Sequence, residues 1–139
     1  MDTVLLKYHQ SGMDYLVFDT CKNNIVLDAR TVRTICTRNF GLGSEGILAG
    51  PIGSGKNVEM KRYRPDGSEA EVNRSEACVF ARYLQDAGYR EYSRSVIHTE
   101  EGDVSLAQQE NSGTDECGQP EKVGKLFLSE TFISRNHGN

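Results

Sequence analysis

Between Arg64 and Leu84 the chain reads RPDGSEAEVNRSEACVFARYL, and this stretch leaves little freedom in what can be built around it. Pro65 fixes φ, Asp66 can close an Asx-turn and Gly67 tolerates positive φ, so these residues predict a hairpin corner. Ser68 to Val72 reads as a short strand. Asn73 is followed three residues later by Glu76, and Ala77, Phe80, Ala81 and Leu84 recur at helical spacing. The pattern predicts a helix with Asn73 as N-cap and Glu76 closing a capping box. Gly88 stands where a left-handed C-cap ends it. A strand that runs directly into a helix aims unpaired N–H groups and the positive end of a dipole beyond the cap, which suits a carboxylate, although most such ends bind only water.

The segments before this stretch are legible from period and punctuation. Thr3 to Tyr8 and Tyr15 to Asp19 are β-prone runs around a glycine-containing turn and predict a hairpin, with Met13 in the turn. Ala29, Val32, Ile35 and Cys36 predict a helix over Asp28 to Thr37, ended by Phe40-Gly41-Leu42-Gly43-Ser44. Gly46 to Ala49 reads as a strand. Gly50 to Asn57 nearly spells a phosphate-binding loop, but no hydroxyl follows Lys56, and the alternating Val58 to Tyr63 predicts a strand where a helix would have to open. A glycine-rich hairpin loop is the better reading.

Beyond Gly88, Ser95 to Thr99 and Asp103 to Ala107 predict a hairpin around Glu100-Glu101-Gly102. Residues 108–121 read as a mobile loop, Val123 to Leu128 and Thr131 to Ile133 as closing strands, and 134–139 as a polar tail. The whole of 1–139 is read as one domain of α+β class, an antiparallel, barrel-like sheet wrapped around the second helix, plus the first helix.

Composition narrows the function. Sixteen basic against 20 acidic residues give a net charge of -4, which argues against a general binder of nucleic acid or anionic membrane. No run reaches the roughly 18 apolar residues of a membrane span, and no secretory leader pattern opens the chain, so a cytoplasmic location is expected. Cys21, Cys36, Cys78 and Cys117 lie 15, 42 and 39 residues apart, with no CxxC pair and no histidine at ligand spacing. Reduced thiols are expected, and no metal site.

From Leu5 to Gly88 the order of residues resembles the first half of the diaminopimelate epimerase family, cofactor-independent amino-acid epimerases. The likeness rests on Lys7 to Tyr15, on Arg38-Asn39-Phe40-Gly41-Leu42-Gly43-Ser44-Glu45-Gly46, and on Asp66-Gly67-Ser68-Glu69 followed by Val79 to Leu84. It implies a barrel-like half with a central helix, substrate held between two halves whose helix mouths converge, and no cofactor. Family members show Asn after the first motif's glycine, Asn before Ala-Asp-Gly-Ser, and Cys-Gly-Asn-Gly at the helix mouth. Here those places hold Met13, Arg64 with Pro65, and Asn73-Arg74-Ser75-Glu76. An Asn amide does not exchange a proton near neutral pH, so Asn73 cannot replace the family's thiol base.

With 139 residues the chain is about the length of one such half, and it carries no second copy of the central motif. Three accounts stay open. A second epimerase-like chain, a copy or a distinct companion carrying the cysteine, could complete a racemase site for an amino-acid-like small molecule. Asn73, Arg74, Ser75, Arg64 and Met13 would then bind substrate from this side. Cys78, the one nearby thiol, is a candidate base but lies beyond the first helical turn, and Asp14 and Glu76 are alternatives. The chain could instead be a non-catalytic binding or assembly module, with Arg64 and Arg74 gripping an acidic ligand. It could also be a structural subunit or fragment whose helix mouth forms an interface.

Overall fold

The structure, a computed structural model, describes residues 3–38, 45–53, 57–107 and 119–128. In chain order the elements are β1 (Thr3–Gln10), β2 (Met13–Asp19), α1 (Ala29–Arg38), β3 (Ile47–Ile52), β4 (Glu59–Tyr63) and β5 (Glu69–Ala70). Then come α2 (Arg74–Asp86), a 3-10 turn over Arg90–Tyr92, β6 (Val96–Thr99), β7 (Gly102–Ser105) and β8 (Glu121–Leu128). A six-stranded sheet runs β5-β4-β3-β2-β1-β8, and β6 and β7 form a separate pair.

Strand alternation sorts the core into two layers, because successive side chains point to opposite faces. Leu5, Leu16, Phe18, Ile47 and Ala49 face Val32 and Ile35 of α1. Tyr8, Tyr15, Val17 and Leu48 face α2. The hairpin β6–β7 closes the far side of α2 with Ile97 and Val104, so Ala77, Val79, Phe80, Ala81 and Leu84 are fully buried. Each large apolar side chain enclosed in this way contributes about 1.5–3 kcal/mol. The α+β class, with a barrel-like sheet around a central helix and a second helix outside it, is the one the sequence predicts.

Every neighbouring pair in the large sheet is antiparallel except β2 and β3, which are parallel. The chain reaches β3 through α1, and a crossover of that kind returns the strand in the same direction. The strand predicted over Ser68 to Val72 is only Glu69–Ala70, whereas the Gly46 to Ala49 strand runs on to Ile52. Glu121, assigned to the loop, opens β8. The rest of that loop up to Gly118, the strand at Thr131 to Ile133, the tail 134–139 and the glycines at 41 and 43 lie outside the described residues. No helix among the described residues is long and apolar enough to cross a membrane.

Candidate functional site at the mouth of α2

The Asp66-Gly67 corner forms as the sequence dictates. Gly67 N–H donates to Arg64 O at 2.9 Å, and Ser68 N–H to the Asp66 carboxylate at 2.9 Å. Gly67 has φ of +93°, and a Cβ there would collide with Ala29 O, so glycine alone lets the corner meet the start of α1. From this corner the chain enters α2 through the predicted capping box. Glu76 N–H donates to Asn73 Oδ1 at 2.8 Å and Asn73 N–H to Glu76 Oε1 at 2.9 Å.

Two orphan donors then remain at the mouth. Arg74 N–H donates to the Glu101 carboxylate, carried in on the β6–β7 turn, at 2.9 Å. Ser75 N–H has no acceptor among the described residues. A carboxylate therefore does occupy the positive end of α2, and it is the chain's own.

Beneath the mouth Glu76 is buried, with its Oε2 2.8 Å from Arg62 Nε and the Tyr15 phenol beside it. Burial raises the Glu76 carboxyl above its ordinary value, against the opposing pull of Asn73 N–H, Arg62 and Tyr15. Burial, and next the Glu76 charge, raises the Tyr15 phenol. The mouth is flanked by further acid: Glu100 is raised by its hydrogen bond with Glu71.

Met13 opens β2 with 42% of its surface exposed, and its sulfur lies 3.4 Å from the Tyr15 hydroxyl. Tyr15 thus ties Met13 to the capping box, and Met13, Asn73, Arg74 and Ser75 belong to one region. Arg64 turns back on its own corner, donating to Ser68 Oγ at 3.2 Å and Glu69 O at 3.3 Å. Cys78 is buried and held in a disulfide, so in this state it presents no thiol to exchange a proton. The expectation of reduced thiols fails at that residue, a bond of a kind that persists mainly in oxidising compartments. Cys21 and Cys36 are free, and burial pushes the Cys36 thiol up to about 11.

The other two candidate bases are committed elsewhere. Asp14 lies 2.8 Å from His9 Nδ1 and 3.5 Å from Lys7 Nζ, and the His9 hydrogen bond holds its carboxyl below the ordinary value. Glu76 caps Asn73 N–H with its Oε1 and turns its Oε2 to the Arg62 guanidinium. Sequence reasoning missed Glu101, Arg62 and Tyr15. Arg62 could have been found, because it falls on the inward phase of the alternating β4. Glu101 acts across 27 residues and left no local signal.

The sequence pattern described as diaminopimelate epimerase matches residues 5–123. Diaminopimelate epimerase 2 of Nostoc sp. is 41% identical over 102 residues, 73% of this chain and 36% of that protein. The diaminopimelate epimerase of Gluconobacter oxydans is 30% identical over 101 residues, covering 70% of this chain and 39% of that protein. That of Archaeoglobus fulgidus is 33% identical over 92 residues, 64% and 33% of the two chains. The matched part spans only about a third of each relative.

Proposed function

The chain belongs to the diaminopimelate epimerase family, and on that premise we propose that it is one half of a cofactor-independent amino-acid epimerase or racemase. A second epimerase-like unit, a distinct companion chain or a second copy, completes the site and brings the cysteine base.

In this reading the half described here holds the substrate and does not abstract its proton. The observation that carries it is the arrangement at the start of α2. Ser75 N–H has no acceptor among the described residues, Arg74 N–H is held by the exposed Glu101, and Asn73 stands at the cap where the family places a thiol. A substrate carboxylate displaces Glu101 and takes the two N–H donors, with Met13 alongside. A base on the other unit removes the α-proton, and a water molecule on the opposite face gives a proton back to the α-carbon, the hydroxide left behind being neutralised by the protonated base. The developing negative charge faces the positive ends of two helices.

Diaminopimelate, the compound in the relatives' names, is the first substrate to try. The chain, alone and mixed with a candidate second half, is incubated in deuterium oxide with diaminopimelate and with a panel of L-amino acids. The α-proton resonance is then followed by NMR. Loss of that signal in the mixture, with none in the chain alone, is expected.

A second reading, a non-catalytic binding or assembly module, is favoured by the Glu101 contact, which satisfies the helix without any ligand. Absence of exchange in every mixture selects it.

A further inference from the structure

At the opposite end of α2 from Asn73, about 20 Å along a helix of 13 residues, a cavity of about 350 Å³ opens between the helix and the β1–β8 side of the sheet. We propose that this cavity is a second ligand site, built for a small organic anion with an apolar body.

Its floor is apolar, formed by Val4, Leu6 and Val17 of the first hairpin, with Ala87 on the helix side. Its rim carries three ammonium groups, Lys22, Lys122 and Lys125. The two carboxylates on its walls are already committed. Asp19 is 4% exposed and accepts from the Tyr83 hydroxyl, from the Tyr89 hydroxyl at 2.7 Å and from Cys21 N–H at 2.8 Å. Asp86 accepts from the Tyr8 hydroxyl at 2.5 Å and pairs with Arg82 at 3.0 Å.

Arg82 offsets Asp86, so three lysines stand against the single charge of Asp19. Among the described residues Lys122 and Lys125 have no ion-pair partner, and the Lys22 ammonium lies over the Tyr89 ring, 5.5 Å from its centroid, with no carboxylate paired to it. The volume is that of a small-molecule pocket, and an apolar floor beneath a few convergent charges is the composition such pockets show. Inorganic phosphate would satisfy the lysines and leave the floor uncovered. A neutral apolar molecule would do the reverse.

The walls are rigid for a structural reason. Asn23 accepts from Val4 N–H at 2.9 Å and donates to Val4 O at 3.1 Å and Asp19 O at 3.0 Å, which fixes the Lys22 turn against β1. The site is therefore preorganised on one rim, which lowers the ordering cost of binding.

The test is a titration of the full, isotopically labelled chain with 4-phenylbutyrate, followed by amide shifts. The expected result is saturable movement confined to residues 19–23, 83–87 and 122–125. At least tenfold weaker binding is expected for 4-phenylbutanamide, for inorganic phosphate, and for the charge-reversed K122E/K125E variant. Both lysines are exposed, so the variant keeps the wild-type shifts elsewhere. Shifts scattered over the surface, phosphate binding as tightly as 4-phenylbutyrate, or an unaltered affinity in K122E/K125E would each overturn the proposal. None of these outcomes depends on the mouth of α2 or on epimerase activity.

Discussion

Glu76 and Glu101 both hydrogen-bond the first turn of α2, but one is structural and the other replaceable. Glu76 is fully buried and serves the Asn73 N–H and the Arg62 guanidinium at once. Glu76→Ala strands Arg62 beside a lost cap, and breaking a buried pair of this kind costs about 3 kcal/mol. Urea unfolding should show that loss, with a smaller one of about 1 kcal/mol for Glu76→Gln, which keeps an acceptor for Asn73 N–H. Glu101 is exposed and its one described link to the helix is the 2.9 Å bond from Arg74 N–H. Glu101→Ala should leave the midpoint of unfolding almost unchanged. It should also let diaminopimelate move the Arg74 and Ser75 amide resonances at concentrations that leave the native chain unaffected. Equal responses in the two proteins would mean that Glu101 does not guard the mouth.

At the scale of elements, glycines with the same sign of φ carry different burdens. Gly67 at φ +93° has Ala29 O in the space a Cβ would need, whereas Gly88 at φ +79° has open space around it. Gly88→Ala therefore costs only the left-handed conformation, about 1 kcal/mol. Gly67→Ala must also push the corner off α1, and should cost about 3 kcal/mol or more. Thermal unfolding of the two variants should separate them clearly, and equal losses would show that the corner yields freely.

The positions of both glycines are legible in the sequence, because turn and cap chemistry is local. Asn73, Glu76 and Gly88 occupy the predicted cap positions. Gly88 N–H meets Gln85 O at 3.1 Å and Tyr89 N–H meets Leu84 O at 3.0 Å, the paired bonds that close such a helix end. What the sequence concealed was non-local. The parallel β2–β3 pair joins strands separated by the whole α1 crossover, and the Glu101 contact spans a whole hairpin. The Cys78 disulfide has no spacing signature, and β5 shrinks because only Glu69 and Ala70 find partners on β4.

Across the whole molecule, the sheet and α2 are fastened by phenol–carboxylate pairs that run in both directions. Tyr8 and Tyr15 on the sheet reach Asp86 and Glu76 on the helix, and Tyr83 on the helix reaches Asp19 on the sheet. The rings also pack on one another: Tyr8 meets Tyr83 edge-on at 6.3 Å, and Phe80 lies 5.8 Å from Tyr83. Such a fastening holds only while the phenols keep their protons. Burial, reinforced by the facing carboxylates, raises all three above the ordinary tyrosine value of 10.0. The unfolded chain loses these protons near that ordinary value while the folded chain retains them. The stability they confer is therefore complete below pH 10.0 and is lost as pH rises beyond it. Each such phenol contributes a fall of about 1.4 kcal/mol per pH unit in that window. Parallel titrations of tyrosinate absorbance and helical circular dichroism should show the signals of Tyr8, Tyr15 and Tyr83 appearing only as the helix signal collapses. Ionisation of all three near the ordinary value with the helix intact would mean that the carboxylates do not lock the sheet to α2.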